Sequence, residues 1–234
     1  MGLASRPTGP ARRFGVKGVA IVAAIIVVTL VATGCGSNED APKASVTHAN
    51  GTGAEVASLL AGIPQRGNTL GDPKAAVTVE YFGDLECPFC RKFTLDELPS
   101  LIHSYVRSGK LKIEYRSLET ATRDPETFGV QQVAALAAGK QGKMWNFIEL
   151  FYHEQGKEDS GYVTESYLQD LARQVPGLNL IAWTAARSDA ELANTITRDA
   201  QTAKFEGLRS TPTFLIANPR NAPYASTITK LLRS

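Results

Sequence analysis

Cys87 and Cys90, in the run Cys87-Pro88-Phe89-Cys90, are the residues of this chain whose types and spacing best suit chemistry. Two thiols three positions apart can form one small disulfide that opens and closes. Such a bridge closes too short a loop to stabilise a fold by much, so an inert structural link is a poor account of it. The spacing also suits a helix start. Cys87 falls at the cap, Cys90 lies one turn in, and Pro88 takes the first helical position, where a missing N–H costs nothing. A cap position faces free N–H groups and the positive end of the helix dipole. Both favour a thiolate, which is the nucleophile in disulfide exchange. Dithiol redox chemistry is the first hypothesis, and it needs no cofactor. Zinc usually takes four ligands, and His48, His103 and His153 offer no paired spacing, so no metal is expected.

The elements that must position this pair are legible in outline. Ala76–Gly83 reads as a buried strand leading into the motif. Phe89–Arg107 has helical spacing, with a kink or interruption expected at Pro99. Leu111–Leu118 alternates apolar and polar residues as a strand does. From about Pro125 to Gly207 the signals are helical, including an apolar stripe of Met144, Phe147, Ile148 and Phe151 read as packing. Ser188 to Glu191 fits a capping box before the last long helix, with Gly207 as its stop. Thr213–Ala217 returns to strand. Trp145 and Trp183 are expected to pack in the core, and Asp84 and Glu86 to be solvated beside the motif, opposing a thiolate slightly.

The first 35 residues have the features of an export signal. Arg6, Arg12, Arg13 and Lys17 precede an apolar run from Val19 to Ala32, shorter than the roughly 20 residues of a membrane span. The run ends in Ala32-Thr33-Gly34-Cys35, which resembles a bacterial lipobox with Cys35 as the lipidated residue. An uncleaved signal anchor and ordinary cleavage are the alternatives. Without this segment the chain carries 21 basic and 23 acidic residues, which leaves no basic face to argue for nucleic acid. Three cysteines exclude a multi-bridge framework, and an oxidising compartment gives a lone exported pair disulfides to make or remove. Residues 36–66 are rich in Gly, Ala, Ser, Asn and Thr and read as a flexible linker, with a short helix possible over Glu55–Ala61. The domain is then expected over 67–234, with its helical insertion at about 122–207.

This order of elements, with CPFC at the first strand–helix junction and Ser210-Thr211-Pro212-Thr213-Phe214 opening a late strand, resembles the thioredoxin fold. The lead-in Leu70-Gly71-Asp72-Pro73-Lys74-Ala75-Ala76-Val77-Thr78-Val79, the run Gly83 to Cys90 and the helical insertion are similar to the exported DsbA-like thiol–disulfide oxidoreductases. The resemblance covers about residues 67–217. It implies an α/β thioredoxin-like fold with an inserted helical domain, preceded by an export or anchor segment and a linker. It implies Cys87 as an exposed nucleophile, Cys90 as the less accessible resolving thiol, and Pro88 and Phe89 as the pair that tunes the potential. Pro212 is then a cis proline lying against the CxxC, and Thr211 offers its backbone to an extended client strand. The implied partners are exported proteins with cysteines and a membrane quinone-linked enzyme, with the chain a membrane-tethered monomer. Oxidation is the preferred direction, with a reductase or isomerase and a redox-inactive binding domain as alternatives.

Two departures from the pattern stand out. The family often places a buried Glu six residues before the first cysteine. Tyr81 stands at that position here, with Glu80 beside it on the opposite strand face. The C-terminus is short, so the edge strand is expected to be shortened or lost, and Ser226–Leu232 to be a stub of the last helix.

Overall fold

A single mixed sheet positions the CPFC motif. In the computed structural model, which describes residues 49–218 and 221–225, its central strand β3 (Val77–Gly83) runs directly into the motif. Preceding it are helix α1 (Ala49–Leu60) and two short strands, β1 (Gln65–Arg66) and β2 (Thr69–Leu70). The chain then forms α2 (Pro88–Lys92), α3 (Leu98–Leu101), β4 (Leu111–Ser117), α4 (Pro125–Gly139), α5 (Met144–His153), α6 (Glu165–Gln174), α7 (Leu180–Ala186), α8 (Ala190–Phe205), β5 (Thr213–Asn218) and β6 (Asn221–Ala225). The strand order is β1-β2-β4-β3-β5-β6. Strands β3 and β4 pair in parallel, with Tyr81 opposite Tyr115, and every other pairing is antiparallel. The expected export segment, Cys35 and Ser226–Leu232 lie outside the described residues.

Alternation along β3 sorts its side chains to two faces. Val79 and Tyr81 meet the helical run that starts at Pro88, with Tyr81 edge-on to Phe93 at 5.0 Å between ring centroids. Phe82 faces the other way, toward Ala203 of α8. Pro99 does not break the run from Pro88. Lacking an N–H, it cannot bond back along the helix, and the backbone absorbs this with π-helical turns at Phe93–Glu97 and Ile102–Val106 on either side. Helix α5 is the core of the insertion. Its residues from Met144 to Tyr152 are all buried, among α1, α4, α6 and the first π-helical turn. Both tryptophans pack as expected, each with its indole N–H satisfied: Trp145 donates to Asn68 O and Trp183 to Ala134 O.

Several expectations need correction. The stretch read as linker over 36–66 includes α1 and β1, so the folded unit begins well before residue 67. Glycines at 51 and 53 disguised the helix, because they weaken it locally. Burial of Val56, Leu60 and Ile63 holds it in place, and Arg107 donates to the carbonyls of Leu59 and Ala61 at its end. Gly53 is needed for the approach of α1 to α6, since a Cβ there would lie 2.7 Å from Gln174 O. Strand β2 has no signal in the sequence, because two residues are too few to show alternation. The edge strand is present as β6, paired with β5, and Pro223 falls at the irregular part of that pairing, where the register sets no residue of β5 opposite it. The last long helix is capped by Asp189, not Ser188. Its carboxylate accepts from Glu191 N, and the helix stops before Gly207 at φ +68°.

Glu149 on α5 is buried with one carboxyl oxygen lacking a partner, and burial pushes its pKa up to about 8. The unfolded chain releases this proton near pH 4.5 and the native state only near 8. The native state is therefore favoured below that window and loses stability as pH rises through it. At about 1.4 kcal/mol per pKa unit the loss amounts to several kcal/mol. Glu149→Gln should leave stability at pH 5 little changed and raise it by that margin at pH 8, as read from urea unfolding midpoints.

Candidate active site

Cys87 caps α2 with an extended backbone (φ −71°, ψ 120°), and Pro88 takes the first helical position. The N–H of Cys87 donates to Asp84 O, and the carbonyl of Cys87 accepts from Arg91 N. Cys90 lies one turn in and is completely buried, and both cysteines are free thiols. Cys87 is not the exposed residue expected: only 4% of it is accessible. Its Sγ lies 3.4 Å from the carbonyl oxygen of Thr211, so the loop opening β5 covers it. Phe89 instead projects outward, 69% exposed.

The Thr211–Pro212 peptide is cis, and its loop brings Thr211 against Cys87 although the two are far apart in sequence. A hydroxyl contact between Thr120 and Thr211 ties this loop to the segment after β4. That segment is organised by Asp84, which is fully buried rather than solvated. Asp84 Oδ2 accepts from the N–H groups of Thr120 (3.0 Å), Ala121 (2.8 Å) and Thr122 (2.9 Å). Its Oδ1 accepts from Thr122 Oγ1 (2.6 Å) and Glu86 N (3.1 Å). A carboxylate so fully occupied organises backbone that would otherwise be left unpaired. Glu86 is also buried, and its carboxyl is pushed above the usual range by that burial.

The two thiols are driven apart in acidity. The Cys87 thiol falls to about 6, chiefly because the Cys90 thiol donates to it, with Thr211 and the N–H groups of Cys90 and Phe89 adding to the effect against the cost of burial. Burial first, and then the charge of Cys87, push Cys90 well above the ordinary thiol range. At neutral pH the pair is one thiolate and one thiol. A thiolate at a helix cap can attack a disulfide sulfur, and a neighbouring thiol can then displace what it has captured.

The insertion supplies contacts that short-range sequence patterns could not reveal. Gln155, just after α5, donates from Nε2 to the carbonyls of Leu85 (2.7 Å) and Cys87 (3.2 Å). Arg91 Nε donates to Tyr152 O at 2.8 Å. Glu80 does not reach round to the motif. It pairs with Arg116 at 2.6 Å on the opposite face of the sheet.

The thioredoxin family model matches residues 65–231, most of the chain. A probable disulfide bond formation protein D of Bacillus anthracis is 24% identical over 156 residues, covering 64% of this chain and 71% of that protein. Among solved structures, oxidised BdbD from Bacillus subtilis superposes with a TM-score of 0.59 at 21% identity, covering 74% of this chain and 98% of the other. A thioredoxin-like oxidoreductase from Silicibacter pomeroyi does so with a TM-score of 0.56 at 26% identity, covering 76% and 93%. With a sheet, insertion and paired thiols of this kind, the chain belongs to the thioredoxin family and is a DsbA-like thiol–disulfide oxidoreductase.

Proposed function

We propose that the protein acts as an oxidant of exported proteins, donating a Cys87–Cys90 disulfide to pairs of client thiols. A client thiolate attacks Cys87 Sγ, the bond between the two enzyme sulfurs breaks, and its electron pair goes to Cys90. A second client thiolate then attacks the client sulfur of the mixed disulfide. Cys87 leaves as a thiolate, so the client is oxidised and the enzyme reduced. The observation that carries the direction is the place of Cys87 at the cap of α2, where the Cys90 thiol, Thr211 and the N–H groups of Cys90 and Phe89 lower its pKa to about 6. Whatever stabilises that thiolate stabilises the reduced enzyme and makes its disulfide a stronger oxidant.

In this reading Thr211 lends its backbone to an extended client segment beside Cys87, Pro212 shapes the loop, and Pro88 and Phe89 tune the pair. The clients are exported proteins, the chain is a monomer held outside the cytoplasm by its first 35 residues with Cys35 lipidated, and a membrane quinone-linked enzyme restores the disulfide. Among the described residues no helix is long and apolar enough to cross a membrane. The test of direction is the equilibrium of the pair against glutathione. A potential near about −120 mV supports the oxidant, and one near about −270 mV makes the protein a reductase.

A further inference from the structure

A cleft of about 480 Å³ opens beside the loop that covers Cys87. One wall is Leu118 and Glu119, which follow β4. The other is Ala203 and Lys204 at the end of α8, with Leu208 and Arg209 of the loop beyond. The cleft exists because of how α8 ends. Gly207 turns the chain at φ +68°, and Leu208 N then donates back to Ala203 O at 2.8 Å. That bend sets Leu208 against the small apolar cluster of Phe82, Ala203 and Leu215, where Leu118 also packs. The cleft therefore rests on apolar side chains, while Glu119, Lys204 and Arg209 are exposed at its rim.

Both walls lead straight to the reactive sulfur. Glu119 precedes Thr120, whose hydroxyl touches that of Thr211. Arg209 lies just before Ser210 and Thr211, and the Thr211 carbonyl oxygen is 3.4 Å from Cys87 Sγ. At about 3.3 Å per extended residue, two residues span roughly 7 Å. A client segment lying along Thr211 with its cysteine at Cys87 thus reaches the cleft with a side chain two or three positions away. Charge decides which side chain suits it. Arg198, further back on α8, is already paired with Glu191 at 2.7 Å. Among the described residues, the Lys204 and Arg209 side chains have no such partner. Glu119 faces them from the other wall, so two cations stand against one carboxylate. An entering carboxylate is repelled by Glu119 toward the wall that holds both cations.

We propose that this cleft is a specificity subsite for client proteins, taking an aspartate or glutamate two or three positions from the reacting cysteine. The side-chain methylenes lie on Leu118 and Leu208, and the carboxylate lies between Lys204 and Arg209. The contact is in place as the client thiolate attacks Cys87 Sγ and the electron pair of the broken disulfide passes to Cys90. It therefore raises the rate at which the mixed disulfide forms. A client with lysine at the same position meets charge of its own sign. The rim is exposed, so the preference is modest and screened by salt.

This inference rests on the dithiol exchange proposed above, and the full-length oxidised protein tests it. The probes are four synthetic single-cysteine peptides, with two glutamates or two lysines at the second and third positions either before or after the cysteine. In one of the two placements the acidic peptide should reduce the disulfide about fivefold faster than the basic one, by stopped flow at low salt. That ratio should fall toward one in about 1 M salt, where charges are screened beyond about 3 Å. A flanking charge also alters the peptide's own thiol, so the decisive comparison is between proteins. Lys204→Glu with Arg209→Glu should invert the ratio, and Lys204→Gln with Arg209→Gln should give an intermediate one. Ratios that agree between wild type and both double variants would overturn the subsite. So would an equal preference in both placements, which long-range attraction alone predicts. A wild-type disulfide that none of the peptides reduces would instead sink the dithiol reading itself.

Discussion

Cys87→Ser is expected to abolish thiol–disulfide exchange, and the alkylation of the reduced protein should show why. With its pKa lowered to about 6, Cys87 should react with iodoacetamide along a curve that rises between pH 5 and 7 and then levels. The same curve should vanish in Cys87→Ser, because Cys90 stays a thiol throughout that range. A serine hydroxyl in this place has no comparable anion to offer. The acidity shift also gives the reduced protein a pH-dependent stability. Between about pH 6 and the ordinary thiol value of 9.0, native Cys87 has lost its proton while the unfolded chain keeps it. Raising the pH through that window therefore favours the native state, and the gain disappears as pH falls through 6. Oxidised protein has no such group. The gap in melting temperature between reduced and oxidised forms should shift toward the reduced form from pH 6 to 9. A shift in the other direction, or exchange retained by Cys87→Ser, would contradict the assignment.

Asp84→Ala is expected to cost about 4 kcal/mol of unfolding free energy, on the scale of several buried donors losing one shared acceptor. The three consecutive N–H groups at Thr120, Ala121 and Thr122 all point at one carboxylate oxygen. Alanine leaves them without a partner, and Ala121 and Thr122 are buried, where water does not readily replace the carboxylate. The damage should reach Cys87 by a definite route. Thr120 loses its anchor, Thr211 loses its hydroxyl neighbour, and the loop over Cys87 loosens. The iodoacetamide midpoint of Cys87 should therefore rise in the variant, because Thr211 is among the groups that hold it low. Asp84→Asn, which keeps one oxygen in place, should lie between wild type and alanine on both measures. A loss below about 1 kcal/mol in urea unfolding would mean that the carboxylate is not the organising group.

What could be read from the chain follows the range of the forces involved. Strands at 77–83 and 111–117 showed through because each buries a continuous or alternating apolar pattern. The stop at Gly207 showed through because only the local backbone decides it. The CPFC pair was legible for the same reason: cap, proline and spacing act within one turn. Elements held by distant partners were not. Helix α1 has two glycines in its sequence and depends on packing against α5 and α6. Asp84 and Glu86 look like solvated charges until the segment 120–122 folds over Asp84. Gln155 has no local signature at all, since its acceptors lie about seventy residues back along the chain. The near-closure of Cys87 depends on Thr211, which the motif alone does not bring to it.

The grip of Gln155 and Tyr152 on the CPFC turn means that the thioredoxin-like half cannot be treated as a portable cassette. A chain shortened to its sheet and first helical run would keep both cysteines but lose the side-chain donor on the Cys87 carbonyl and the acceptor for the Arg91 side chain. Grafting a different insertion would change the reactive turn without touching its four residues. In engineering terms, the helical insertion is a second set of tuning positions, reached through backbone oxygens and independent of the dipeptide between the thiols.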